Sequence, residues 1–97
     1  MLALFLLSAI VFGMNSKHRK TLEAIFATPT RTSHEWARIE ALLVTLECER
    51  VEGRGSRVRF VAGGTIGTFH RPHPATEAKA YQVEDARTFL TAIGVTP

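Results

Sequence analysis

The stretch from Glu52 to His70, EGRGSRVRFVAGGTIGTFH, decides how this chain folds. In RVRFVA, Arg57 and Arg59 alternate with Val58 and Phe60. That period of two puts arginines on one face of a strand and apolar side chains on the other. Gly63 and Gly64 then form a two-residue turn, because paired glycines accept the positive φ angles of a tight hairpin. The segment TIGTFH returns as the next strand. Upstream, a short strand around Cys48 to Glu52 reaches the turn GRGS, so the whole stretch reads as a three-stranded antiparallel meander. Val58 and Phe60 must point toward a covering layer, and Arg57 and Arg59 must point away from it.

The flanking segments supply the cover. Leu22, Ile25 and Phe26 fall at helical spacing between Lys17 and Ala27, and Pro29 stops that helix. In TSHEWARIEALLVTLE, Thr32 followed by Glu35 has the spacing of a capping box, and Trp36, Ile39, Leu43 and Leu46 form one apolar stripe. A final helix carries Val83, Ala86, Leu90 and Ile93, with Gly94 just past its end. The order is helix, helix, strand, strand, strand, helix. This is an α+β chain whose two longer helices cover one face of the sheet and leave the other wet.

A chain of 97 residues, 45% hydrophobic and 22% charged, is one globular domain. Its formal charge is only +3, but the charge is unevenly placed. Arg50, Arg54, Arg57, Arg59 and Arg71 face one intervening acid, Glu52, while other acids concentrate between Glu35 and Glu49 and at Glu84 and Asp85. Such a basic patch suits a polyanion. Cys48 is the lone cysteine, which excludes an intrachain disulfide and a multi-cysteine metal site and favours a reducing compartment. The apolar run at residues 1–13 is too short to span a bilayer, which takes ~20 residues, and its positive charges follow it instead of preceding it. It reads as a poor signal-like extension or a product of upstream start assignment. Residues 14–97 then form a cytoplasmic domain with no stable membrane association.

The helix WARIEALLVTLECE, the turn and strand EGRGSRVRF, the link FHRPHP and the end FLTAIGVTP together resemble a HicA-type toxin of bacterial toxin–antitoxin pairs. The resemblance covers roughly Met14 to Pro97. It implies an α-β-β-β-α fold related to double-stranded RNA-binding domains, here with an extra N-terminal helix. It also implies mRNA binding, endoribonuclease cleavage and neutralisation by a HicB-like antitoxin protein. In the family, a glycine and a serine at the start of the second strand precede the histidine taken to be catalytic. Here Gly55 and Ser56 precede Arg57. A guanidinium stays protonated, so it holds a phosphate or stabilises developing charge but takes no proton from a ribose hydroxyl.

Cleavage without a metal needs a base, an acid and positive charge on the phosphate, and histidine suits the first two. His70 and His73 are the catalytic candidates. Pro72 and Pro74 favour a polyproline II path, in which positions three apart return to one side. The bland alternative is a stiffened loop with solvated histidines. Arg54, Arg57, Arg59 and Arg71 are the RNA-binding candidates. A zinc site joining these histidines to His34 or Cys48 lacks any recognised ligand spacing, and no metal or other cofactor is expected. Trp36 and Phe60 read as core. Lys17, Arg19 and Lys20 read as a solvated helix start, with an extension of the RNA track as the alternative. Two functions remain open: an endoribonuclease in which Arg57 clamps phosphate and His70, with His73, transfers protons, or a catalytically inactive module that binds RNA or the antitoxin.

Overall fold

In a computed structural model, which describes residues 14–97, the chain runs α1 (Ser16–Ile25), α2 (Trp36–Thr45), β1 (Glu49–Glu52), β2 (Arg57–Ala62), β3 (Thr65–His70) and α3 (Ala80–Ala92). The apolar run at 1–13 lies outside the described residues. The strands form an antiparallel sheet in the order β1-β2-β3. The α+β expectation therefore holds, down to the glycine turn. Gly63 and Gly64 both have positive φ, 54° and 86°, and bring Ala62 opposite Thr65.

One face of the sheet is dry. Val58, Phe60 and Phe69 are buried together with Trp36, Ile39, Leu42 and Leu43 of α2, with Leu46 just past its end, and with Val83, Ala86, Phe89 and Leu90 of α3. Trp36 and Phe60 are core residues, as their spacing indicates. The ring of Phe69 packs against Trp36 at 5.6 Å and meets Phe60 and Phe89 edge-on at 6.1 Å each. α1 packs on α2 and α3. Arg87 of α3 secures its end by donating to the carbonyls of Ile25 (2.9 Å) and Ala27 (3.3 Å), acceptors that a helix terminus leaves unpaired.

The capping box does not form. Glu35 is itself the residue that precedes the first turn of α2, and no side chain caps that end. Tertiary contact takes over instead. The Trp36 N–H donates to the Thr76 carbonyl (3.0 Å), Ala78 N–H donates to the His34 carbonyl (2.7 Å), and Glu35 bridges Glu77. The segment before α2 is thus held as an extended strand against the link before α3, which removes Thr32 from the helix end.

Gly67 lies on the dry side of β3, where a Cβ would stand 2.6 Å from Cδ1 of Phe89 and 2.9 Å from Cε2 of Phe69. Both rings are fixed by the core. Gly67→Ala is expected to destabilise the domain by about 1–3 kcal/mol through overpacking. A thermal melt checks this, and an unchanged midpoint would mean that the rings move aside freely.

Candidate nucleic-acid interface

The register of the sheet fixes what its wet face displays. Arg57 lies opposite His70, and Arg59 lies between Val51 and Thr68. Val61 lies between Glu49 and Ile66. Arg57, Arg59, Thr68 and His70 are all exposed, and Ile66 is 58% exposed. Arg71 N–H donates to the Ser56 carbonyl at 2.8 Å, just beyond the Arg57–His70 pair. Ladder hydrogen bonds alternate, so Arg57 and His70 occupy a non-hydrogen-bonded pair, the kind in which opposite side chains stand closest. Arg57 and His70 therefore face the same solvent side by side.

Arg54 sits in the turn that leads into β2. There Gly53 N–H donates to the Arg57 carbonyl (2.9 Å) and Arg57 N–H to the Arg54 carbonyl (3.1 Å). Among the described residues, the side chains of Arg54, Arg57 and Arg59 enter no ion pair and no hydrogen bond. Their donors face water and are available to phosphate oxygens.

Arg71 differs from these three. Its Nε donates to Oε1 of Glu40, and its two terminal nitrogens donate to Glu52 at 2.7 and 2.9 Å. Arg50 joins through Glu40 (3.5 Å) and Glu52 (3.8 Å). Glu40, only 8% exposed, also accepts from Trp36 Nε1 at 2.6 Å. Burial opposes ionisation of Glu40. Hydrogen bonds from Arg71 and Trp36, with the charges of Arg71 and Arg50, outweigh that penalty and hold its carboxyl below the ordinary range. The hydrogen bond from Arg71 likewise lowers Glu52, and the two carboxylates raise the already high pKa of Arg71. In this structure the guanidinium of Arg71 is spent on tying the end of β3 to α2 and β1. The basic stretch thus divides into three open arginines and two paired ones. Sequence reasoning missed Glu40, whose position on the buried stripe beside Trp36 was the available signal.

His70 is held by its backbone. The buried side chain of Gln82 donates from Nε2 to the His70 carbonyl at 2.6 Å, while its Oε1 accepts from Lys79 N–H at 2.7 Å. His73 lies exposed in the link, which bends at His73 and Pro74. Cys48 is buried, and burial pushes its thiol up to about 11, so it presents no thiolate. Among the described residues no three His, Cys, Asp or Glu side chains cluster as metal ligands, and no helix is long and apolar enough to cross a membrane.

Residues 36–94, from the start of α2 to just past the end of α3, match the protein family described as HicA toxin of bacterial toxin-antitoxin. No match is found among curated proteins or among solved structures.

Proposed function

The chain belongs to the HicA toxin family of bacterial toxin–antitoxin systems, and from that membership we propose that it is an mRNA-cleaving toxin that works on the wet face of its sheet. The observation that carries this reading is the Arg57–His70 pair beside unpaired Arg59 and Arg54. Arg57 and Arg59 hold the phosphodiester by charge-assisted hydrogen bonds. His70 takes the proton of the ribose 2′-hydroxyl, and the 2′-oxygen forms a bond to phosphorus as the P–O5′ bond breaks. The departing 5′-oxygen then needs a proton, which His73 or water supplies. Arg57 keeps its proton throughout and stabilises the charge that builds on the phosphoryl oxygens. Metal-ion assistance is not required by this balance. The cognate partner is a HicB-like antitoxin, which neutralises the toxin by covering the same arginines.

The binding half of this proposal is tested by measuring affinity for single-stranded RNA against salt for the parent and for the double variant Arg57→Ala, Arg59→Ala. Each phosphate contact contributes about 0.7 to the slope of log affinity against log salt. Loss of both arginines should flatten the slope by about 1.4 and weaken binding across sequences alike. An unaltered slope and affinity would reduce the patch to a solvated sheet face.

A further inference from the structure

A second basic surface lies on the helical layer, with no lining from the sheet. Lys17 and Lys20 of α1, Arg31 and His34 of the connection, and Glu35 and Arg38 at the start of α2 line a hollow of about 390 Å³. An adjoining hollow of about 380 Å³ shares Lys17 and Arg38 and adds His18. The two form one trough between α1 and α2. Its α1 wall, from Lys17 to Ala24, is ~10 Å long at 1.5 Å per residue.

The charges in this trough are unbalanced. Lys17, Lys20, Arg31 and Arg38 are all exposed, and among the described residues none of their side chains enters an ion pair or hydrogen bond. Among the described lining residues, only Glu35 opposes them. His34, one of the lining residues, keeps a hydrogen bond to the Ala24 backbone, and its Nε2 is buried without a partner among the described residues. Burial and the charge of Arg31 lower the pKa of this ring, as expected where positive charges crowd without an anion. Four cations lining one elongated trough suit several phosphates of one strand better than one small anion.

We propose that the α1–α2 trough is a second phosphate-binding site, which takes consecutive phosphates of the RNA outside the sheet face. Lys17, Lys20 and Arg31 precede residues 36–94, so the site is built largely by the segment that stands in front of the family-matched part. It lengthens the RNA path that the proposed function begins, and so rests on that reading for its ligand.

The test uses the full chain and the variant Lys17→Gln, Lys20→Gln, Arg31→Gln, Arg38→Gln, with Arg57→Ala, Arg59→Ala in parallel. Two probes are titrated against salt: a 20-nucleotide single-stranded RNA and inorganic tripolyphosphate. The trough variant should lose at least about tenfold in RNA affinity at low salt and flatten the salt slope by about 2–3. His34 ring resonances should shift when RNA binds the parent and stay still in that variant. All four positions are exposed, so the melting midpoint should hold and serve as the folding control. Unchanged RNA affinity overturns the proposal. If only tripolyphosphate binding is lost, the trough takes free polyphosphate and the RNA assignment is likewise overturned. Failure of the sheet reading is separable, since it leaves RNA binding indifferent to Arg57 and Arg59 while still dependent on the trough.

Discussion

Replacing His70 by alanine is expected to lower RNA cleavage by about 10²–10⁴-fold while leaving RNA affinity nearly intact, because a general base acts on the proton in flight and contributes little to ground-state binding. The substitution is well suited to this test. The His70 side chain is exposed, and what holds this end of β3 is its backbone: the carbonyl accepts from Gln82, and the neighbouring Arg71 N–H donates to Ser56. His73→Ala should cost less, since His73 lies in the link and outside the sheet register. The informative comparison is cleavage of a structured mRNA, in chelator, by the parent, His70→Ala and Arg57→His. Arg57→His places a second imidazole opposite His70, and cleavage should persist or rise. An inert parent beside an active Arg57→His would remove catalysis from the natural chain and leave a module that only binds.

Arg71→Ala is expected to destabilise the domain strongly for a partly exposed position. It strips Glu40 of its main partner while leaving the carboxylate buried beside Trp36. Removing one partner of a buried pair costs about 3–5 kcal/mol. The Arg71 side chain is 29% exposed and Arg50 remains near, so about 2–3 kcal/mol is expected here. For a domain this small that lowers the melting midpoint by roughly 10–20 °C. The pH dependence carries the sign. Glu40 has a lowered pKa in the folded state, so its stabilisation is fully present above the ordinary carboxylate pKa and is lost as pH falls through the lowered value. The gap between parent and Arg71→Ala should therefore be widest near neutral pH and close in acid, where protonated Glu40 no longer needs a cation. A gap that stays constant with pH would assign the loss to packing of the Arg71 stem.

What the sequence by itself determined was what neighbours in the chain can encode. The alternation of Arg57, Val58, Arg59 and Phe60 settled which face of β2 is wet, and Gly63–Gly64 set the register that brings Arg57 opposite His70. The apolar stripes of the three helices, with Val58 and Phe60 of β2, named most of the core among the described residues. These signals are legible because strand and helix periods and turn dihedrals arise within a few residues. Tertiary structure alone decided which cations are free. Arg71 and Arg57 look alike in sequence, yet Arg71 meets Glu40 from 31 positions away, and Arg57 stays exposed opposite His70 with no ion pair among the described residues. The helix end at Trp36 was decided in the same way, by the distant Thr76 carbonyl and not by Thr32. The trough, too, exists only because α1 packs on α2 and collects Lys17, Lys20, Arg31 and Arg38. In each case the partner is brought in by packing of the apolar faces, and a charged side chain's availability depends on what that packing leaves beside it.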